Sequence, residues 1–353
     1  MDINLIPTPA LIVDENIFNA NSQRMKDLLK DSKLKLRPHY KSHKCSEIAR
    51  FQMENGAIGM TCAKLSEAQD LVDAGIDNVL IANQIVDSAK ISALSHLARC
   101  CKLIVCVDNI ENVNAIQDAC KQANSTIYCL IEFEIGMNRC GVSTKEEVLT
   151  LARQIQSCSN LVFEGIQAYA GHISHVNDIN DRKTQTAENT AKIKDLIAYL
   201  IDNGIKVNTL SGGSTGTSVI KVKDGFYNEL QAGSYLMMDA TYKDLDLPFE
   251  NSLFILSTVV SVNDRLAVVD AGVKSCGVDQ GMPVPVGFSV SEVVASEEHF
   301  QLHNPSKKLK VGDKVLLVPG HCCSTVNLHE KIYFVKNGKV SKRVFVSARG
   351  GFR

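Results

Sequence analysis

The strongest constraint on the fold of this chain is an alternation that runs from about residue 33 to residue 240. Short apolar segments rich in β-branched residues are followed by polar loops and by longer segments with helical spacing of apolar residues. Eight such segments favour a parallel (β/α)8 barrel, and a doubly wound open sheet is the second candidate. The eight predicted strands lie in KLKLRPHY, AIGMTCA, NVLIAN, KLIVCVD, TIYCLIEFE, LVFEGIQAY, KVNTLSGG and NELQAGSYL.

The pattern changes near residue 246, after which strand-like runs predominate. The predicted strands there lie in FILSTVVSV, RLAVVDAG, KVLLVPG and KIYFVKNGKVSKRVFV. The Asn-Gly pair in KNGK suits a tight hairpin turn, because these two residues tolerate positive φ. We therefore predict an α/β chain with a TIM-like barrel domain at residues 1–245 and a smaller C-terminal β domain at residues 246–353.

The composition excludes several classes of partner. The 353 residues include 38 Lys and Arg against 39 Asp and Glu, so there is no electrostatic reason to expect nucleic-acid binding. No apolar stretch is long enough to cross a membrane, and the N-terminal residues lack the pattern of a signal peptide. The 12 cysteines include no CxxC pair, which favours reduced thiols. We expect a cytoplasmic protein.

The ends of the predicted barrel strands carry the chemistry, because active sites of such barrels form at the C-terminal ends of the strands. The first strand ends in RPHYKSHK, where a lysine could be a nucleophile or simply a solvated side chain. The seventh ends in SGGSTGTS and the eighth in QAGSYLMMD, and both can offer backbone N–H groups to a phosphate. A phosphate site opposite a lysine suggests a phosphorylated cofactor held as a Schiff base.

These segments resemble a known family. The chain is similar to the group of D-threonine aldolases, 3-hydroxy-D-aspartate aldolases and D-serine dehydratases, which are fold-type III pyridoxal-phosphate enzymes related to alanine racemase. The resemblance covers nearly the full length. It rests on TPALIVD, RPHYKSHK, EIGMNRCGV, QAYAGH, SGGSTGT, ELQAGSYLMMDATY, VVDAGVKSCGVDQG and PGHCCSTVNLHE, in this order.

The resemblance implies pyridoxal 5′-phosphate as cofactor and assigns residues to it. Lys41 matches the Schiff-base lysine, Arg139 the arginine that contacts the phenolic oxygen, and Tyr169 a position lining the cofactor pocket. The residues implied for phosphate binding are Gly213, Ser214, Thr215, Gly216, Gly233, Ser234 and Tyr235.

PGHCCSTVNLHE is the predicted metal site. His321 and Cys323 lie two residues apart, so on an extended segment their side chains would point to the same side and could bind one cation. Two ligands leave coordination positions open, as a catalytic metal requires. The resemblance favours a divalent metal over a buried cysteine beside a hydrogen-bonded histidine. Zinc or manganese is expected, with magnesium as a further candidate.

The resemblance implies a lyase for β-hydroxy-D-amino acids, with two possible reactions. Aldolases of the group typically carry His-x-Asp where this chain has His-x-Cys, as the dehydratases do. His175, with His172 nearby, instead matches the proposed general base of the aldolases. Retro-aldol cleavage to glycine and an aldehyde is the leading prediction. Dehydration of D-serine or 3-hydroxy-D-aspartate to a 2-oxo acid and ammonia is the alternative.

Two further hypotheses are weaker. An amino-acid racemase rests on the barrel alone, and a pyridoxal-phosphate carrier or homeostasis protein would lack the β domain. The expected partners are a small D-amino acid substrate and a second copy of the chain in a homodimer, with neither nucleic acid nor membrane.

Overall fold

The computed structural model describes residues 1–352, which form two compact units. The barrel unit comprises residues 26–41 and 48–233, with Gly351 and Phe352; the β unit comprises residues 1–25, 42–47 and 234–350. Each unit is described separately below.

The strands within residues 1–352 are, in chain order, β1 (Ala10–Asp14), β2 (Lys35–Leu36), β3 (Met60–Cys62), β4 (Asn78–Ile81), β5 (Lys102–Val107), β6 (Ile127–Glu132), β7 (Leu161–Ala168), β8 (Thr209–Gly212), β9 (Glu229–Leu230), β10 (Leu253–Val262), β11 (Leu266–Val269), β12 (Val284–Pro285), β13 (Glu292–Ala295), β14 (Phe300–His303), β15 (Lys314–Val318), β16 (Lys331–Lys336) and β17 (Lys339–Phe345).

The α-helices in the same residues are α1 (Glu15–Leu29), α2 (Ser46–Glu54), α3 (Leu65–Asp73), α4 (Ser88–Leu97), α5 (Ile110–Ala123), α6 (Lys145–Ser157), α7 (Ile179–Asp202), α8 (Ser218–Asp224) and α9 (Cys322–Val326). Short 3-10 helices occur at Ile3–Leu5, Tyr40–Ser42, Gly171–Ile173, Ser234–Leu236 and Ala240–Tyr242.

The barrel unit contains one parallel sheet in the order β2-β9-β8-β7-β6-β5-β4-β3. A parallel bridge between His39 and Thr61 closes it, and the Thr61 backbone N–H donates to the Pro38 carbonyl oxygen at 2.9 Å. Each of the eight segments predicted as barrel strands contains one of these strands. The barrel is therefore confirmed, and the open sheet was wrong.

Helix α6 illustrates why the connecting segments are helical. The Thr144 hydroxyl accepts from the Glu147 N–H at 3.2 Å, and the Glu147 carboxylate accepts from the Thr144 N–H at 2.9 Å, which forms a capping box. Val148, Ala152 and Ile155 recur at helical spacing and are buried. Capping fixes where the helix begins, and the apolar stripe packs it into the protein.

Polar pairs occupy the barrel as well as apolar side chains. Arg37, at the end of β2, donates to both carboxylate oxygens of Glu229 on β9, at 2.8 and 2.7 Å, and to Asn78 at 2.9 Å. Both charged side chains are almost fully buried. Gly59 leaves the room for this arginine, because a Cβ there would lie 2.3 Å from Arg37 Nη1. Arg37 is thus a structural residue of the basic segment RPHYKSHK.

The β unit is built around β1. Strand β1 pairs antiparallel with β10 and parallel with β16, and the sheet runs β13-β14-β11-β10-β1-β16-β17, with β15 joining β10 to β12. The hairpin of β16 and β17 turns at Asn337 and Gly338, with φ of 51° and 75°. The tight turn predicted from KNGK is therefore confirmed, as is the mainly β character of the C-terminal part.

The predicted domain bounds, 1–245 and 246–353, stay a prediction. The compact units are discontinuous because β1 hydrogen-bonds on both sides with strands from the C-terminal third. A local pattern cannot reveal such long-range pairing. Within residues 1–352, no helix is both long and apolar enough to cross a membrane.

Candidate active site

A cleft opens where several barrel strands end. It encloses about 570 Å³, including its open mouth, which is within the range of small-molecule sites. Among the described residues, its lining consists of His39, Lys41, Ala63, Ala82, Asn83, Arg139, Gln167, Tyr169 and Gln231. Three residues predicted from separate strand ends, Lys41, Arg139 and Tyr169, therefore meet in one cleft.

Tyr169 lies near both basic side chains. Lys41 Nζ is 5.8 Å from the Tyr169 ring centroid, and the Arg139 guanidinium carbon is 6.0 Å from it. The ring fits here because Gly171 has no side chain; a Cβ at Gly171 would lie 2.8 Å from Tyr169 Cε1. The aromatic face thus positions two cations at the edge of the cleft.

Glu132, at the end of β6, is an acidic residue of this region that the sequence interpretation missed. Its carboxylate accepts from Gln84 Nε2 at 2.6 Å and lies 3.8 Å from the Arg139 guanidinium. Burial raises the pKa of Glu132, although the Gln84 hydrogen bond and the arginine act in the opposite direction. An acidic residue ending an apolar strand in LIEFE was the signal that could have identified it.

The floor of the cleft carries a hydrogen-bonded amide pair. Gln231 Nε2 donates to Gln167 Oε1 at 2.6 Å and to the Ser211 hydroxyl at 2.9 Å. His39 Nδ1 accepts from the Lys41 backbone N–H at 3.3 Å. These bonds hold the walls around Lys41 in a fixed geometry.

The glycine-rich loop after β8 has the features of a phosphate cradle. Gly213 adopts φ of 73°, and Gly216 packs so closely that a Cβ would lie 1.9 Å from the Ser174 carbonyl oxygen. The Thr215 hydroxyl oxygen is buried and finds no hydrogen-bond partner within residues 1–352. Within residues 1–352, the backbone N–H groups of Thr215 and Gly216 also have no hydrogen-bond acceptor. Unpaired donors on a close-packed loop fit a phosphate group.

Ser214 has a different position in this loop. Its hydroxyl is bonded to the hydroxyls of Ser174 and Thr217 at 2.8 and 3.2 Å, and its N–H donates to Thr217 Oγ1 at 3.0 Å. Ser214 therefore stabilises the loop by side-chain bonds. A phosphate contact from Ser214 remains a prediction.

The other predicted phosphate residues lie where the chain passes between units. Gly233 ends a segment of the barrel unit, whereas Ser234 and Tyr235 begin a 3-10 helix of the β unit. The Ser234 hydroxyl accepts from the Tyr242 hydroxyl at 3.4 Å, and the Tyr235 ring packs edge-on against Phe249. Their assignment to the cofactor phosphate stays a prediction.

The two candidate general bases follow β7. His172 is exposed and packs over Gly136, where a Cβ would lie 2.8 Å from its Cε1 atom. His175 is half-buried. The described lining of the cleft includes neither histidine, so their catalytic roles stay predictions.

His321 and Cys323 lie at the beginning of α9. His321 is extended, with φ of −146°, but Cys323 is already helical, so the reasoning from one extended segment was wrong. The two side chains are nevertheless hydrogen-bonded to each other. The helix begins directly after His321 and brings the thiol back to the imidazole.

Asp279 completes this arrangement. Its Oδ2 atom lies 2.7 Å from His321 Nδ1, and its Oδ1 accepts from the Ser324 hydroxyl at 2.5 Å. Burial alone would lower the pKa of His321, but the bonds to Cys323 and Asp279 outweigh it and raise that pKa to about 9. Asp279 was missed because it lies far from the His-x-Cys pair in the sequence.

The donor set fits a divalent metal with open coordination. An imidazole nitrogen and a thiol sulfur are ligands that zinc accepts. Residues 1–352 contain no group of three or more His, Cys, Asp or Glu side chains arranged to hold a metal. Two protein ligands leave positions for water or substrate oxygen, as a catalytic metal needs.

The barrel unit is a parallel barrel with a lysine in its cleft and a glycine-rich loop after its seventh strand, and this is the fold class of the alanine racemases. Residues 13–241 match the family model described as alanine racemase, N-terminal domain, and residues 252–335 match that of a putative serine dehydratase domain. The chain belongs to the family that combines these two domains.

Three similar proteins show where the chain lies within this family. The chain is 38% identical to the 3-hydroxy-D-aspartate aldolase of Paracoccus denitrificans strain Pd 1222, over 99% of this chain and 94% of that one. It superposes on the crystal structure of D-threonine aldolase from Filomicrobium marinum with a TM-score of 0.95 and 40% identity, covering 99% and 97%. It is 24% identical to the D-threo-3-hydroxyaspartate dehydratase of Delftia sp. strain HT23, over 91% and 92%.

These relatives are aldolases and dehydratases, both of which are lyases. The resemblance inferred from the sequence is thereby confirmed, and so is the expected enzyme class, a pyridoxal-phosphate-dependent lyase.

Proposed function

We propose that this enzyme cleaves β-hydroxy-D-amino acids between Cα and Cβ to give glycine and an aldehyde. The observation that carries this proposal is the difference in identity: 38% to an aldolase and 24% to a dehydratase over nearly the same length. The substrate is a small D-amino acid such as D-threonine or 3-hydroxy-D-aspartate.

The residues of the cleft and of the glycine cradle have different roles in binding the cofactor. Lys41 would hold the cofactor covalently through its amine, and Arg139 and Tyr169 would contact it in the same cleft. Thr215 and Gly216 would donate to its phosphate from the glycine cradle, with Gly213 providing the turn. Pyridoxal phosphate supplies an electron sink for the electrons released when a bond to Cα breaks.

Proton transfer is assigned to the histidines after β7. His175 accepts the proton of the substrate β-hydroxyl, with His172 beside it, so that the hydroxyl carbon leaves as an aldehyde. His321 and Cys323 would hold a divalent metal, zinc or manganese before magnesium, which supplies a Lewis acid for the substrate hydroxyl. The homodimer and the cytoplasmic location stay predictions.

Dehydration is the second candidate, and one observation favours it. Cys323 stands where the aldolases of the resembled group typically carry aspartate, and a thiolate is the ligand of the dehydratases. In that reaction a base removes the Cα proton and the hydroxyl leaves, which yields a 2-oxo acid and ammonia. Because Lys41 is the basic amine that lines the cleft, it is the candidate base for that step.

Product analysis separates the two reactions. Purified enzyme with added pyridoxal phosphate and zinc or manganese is incubated with D-threonine, D-serine and 3-hydroxy-D-aspartate. Glycine with acetaldehyde from D-threonine supports the aldolase, whereas 2-oxobutanoate with ammonia would replace it by the dehydratase. L-Threonine and Lys41→Ala are the controls, and neither should give products.

A further inference from the structure

A small cavity lies in the barrel unit beside the glycine cradle. Its described lining contains residues from the ends of β7 and β8 and from helices α7 and α8: Ala168, Ala170, Ile173, Thr186, Asn189, Gly213, Thr217, Lys221 and Tyr227. Its inner space can hold about one particle of the size of a water molecule. None of the lining residues except Gly213 has a place in the proposed chemistry.

Two buried residues of this lining carry donor groups with too few acceptors. Asn189 is 6% exposed, and its Nδ2 atom is buried with no hydrogen-bond acceptor anywhere in residues 1–352. Lys221 is 5% exposed, and its ammonium makes one long bond to Thr190 Oγ1, at 3.4 Å. A buried amide and a buried ammonium both need acceptors, and both are costly without them.

The hydroxyl groups around the cavity donate elsewhere. Tyr227 donates to the Ala168 carbonyl at 3.1 Å, and Thr186 donates to the Arg182 carbonyl at 2.7 Å. Thr217 Oγ1 donates to the Ser214 carbonyl at 3.5 Å and accepts from the Ser214 N–H at 3.0 Å. The donors that remain for an occupant of the cavity are therefore the Asn189 amide and the Lys221 ammonium.

The charges around Lys221 do not balance. The Thr190 hydroxyl that accepts from Lys221 lies 2.9 Å from Asp224 Oδ2, and Lys194 lies 3.9 Å from the other oxygen of that carboxylate. Two ammonium groups thus share one carboxylate. The Lys221 Nζ atom also lies 3.7 Å from the centroid of the Tyr227 ring, which offers only partial compensation.

From these observations we infer that the cavity is a binding site for one monatomic anion of the halide class, held between the Lys221 ammonium and the Asn189 amide. A neutral water molecule could satisfy the amide, but it would leave the excess positive charge uncompensated. A monatomic ion also suits the small volume of the cavity better than sulfate, phosphate or a carboxylate would. This inference stands independently of the lyase activity.

Helices α7 and α8 offer a matched set of variants. Asn189→Asp places a carboxylate in the cavity and supplies the missing negative charge from the protein itself. Lys221→Met removes the ammonium and keeps most of the side-chain volume. Lys192→Met removes an exposed ammonium of α7, and it serves as the control.

The first experiment is a bromide titration of the holoenzyme followed by thermal unfolding, with sodium gluconate keeping the ionic strength constant. The wild type and Lys192→Met should show a saturable rise in Tm of a few degrees, which Asn189→Asp and Lys221→Met should lack. Equal responses in all four proteins would overturn the site, because they would reflect a general salt effect.

Two direct measurements accompany it. Crystals grown in bromide should give an anomalous peak in the cavity, and density for water alone would contradict the proposal. Burial lowers the pKa of Lys221 to about 8. Bromide binding near pH 8 should therefore take up about half a proton per site, which calorimetry in two buffers of different ionisation enthalpy detects. Absence of this uptake, with binding observed, would place the anion elsewhere.

Discussion

The carboxylate of Asp279 holds His321 by its Nδ1 atom, at 2.7 Å, and is itself held by the hydroxyl of Ser324. A histidine bonded in this way presents its Nε2 atom in a fixed direction, and carboxylates often orient metal-binding imidazoles like this. Asp279 is therefore a positioning residue for the proposed metal, although it was not among the predicted ligands.

Replacing Asp279 by asparagine should weaken metal binding by about 10- to 100-fold, because a neutral amide with one oxygen replaces the carboxylate that bonds both the imidazole and the Ser324 hydroxyl. Competition with a chromophoric chelator in the absence of substrate measures this affinity directly. Asp264→Asn, which changes an exposed carboxylate of the same unit, is the control. Unchanged affinity in Asp279→Asn would show that the carboxylate has no part in the metal site.

Gly216 tests the glycine cradle. An alanine Cβ would lie 1.9 Å from the Ser174 carbonyl, so Gly216→Ala has to displace the loop. We expect at least about tenfold weaker binding of pyridoxal phosphate, equivalent to ~1.4 kcal/mol. An absorbance titration measures it, and inorganic phosphate as competitor should lose affinity in parallel. Gly204→Ala, where a Cβ meets no atom within 4 Å, should leave cofactor affinity unchanged.

Variants of the buried pair Arg37 and Glu229 test how much this ion pair contributes to the stability of the barrel unit. Glu229→Gln leaves the guanidinium without its counter-charge, which should lower the free energy of unfolding by about 3–5 kcal/mol. The double variant Arg37→Leu/Glu229→Leu removes both charges and should recover most of that loss. Urea unfolding of the three proteins measures the difference. A double variant as unstable as the single one would assign the loss to packing.

Because of Lys221, the free energy of unfolding should depend on pH. Burial lowers its pKa in the folded chain to about 8, from about 10.5 in the unfolded chain. Below pH 8 the folded protein carries the full cost of the buried ammonium. Between pH 8 and pH 10.5 the unfolded chain binds more protons, so stability rises with pH, by about 3 kcal/mol in total.

The comparison with Lys221→Met isolates this contribution, since other groups also titrate in that range. In halide-free buffer the difference in unfolding free energy between the two proteins should change in favour of the wild type as pH rises from 8 to 10. Urea unfolding at several pH values measures it. A difference that stays constant would mean that Lys221 titrates normally.

The eight barrel strands could be predicted from sequence because most of them are short and largely buried apolar runs. Lys41, Arg139 and Tyr169 could be brought together because strand ends of a barrel meet at one rim. Asp279 could not be added to the site, because hydrogen bonds between distant segments leave no local pattern. Glu132 was missed although it ends an apolar strand in LIEFE. The helix that begins at Cys322 was also missed, since HCCSTV has no strong helix signal.

Strand β1 has a consequence for the order of events during synthesis. Val13 pairs with Leu253 and Leu11 with Ile332, so the second partner strand leaves the ribosome roughly 320 residues after β1. At about 5–20 residues per second, that is a delay of tens of seconds. The N-terminal strand must therefore stay unpaired while the whole barrel segment is translated. During that time a nascent-chain chaperone that shields apolar strands would have to cover ALIVD.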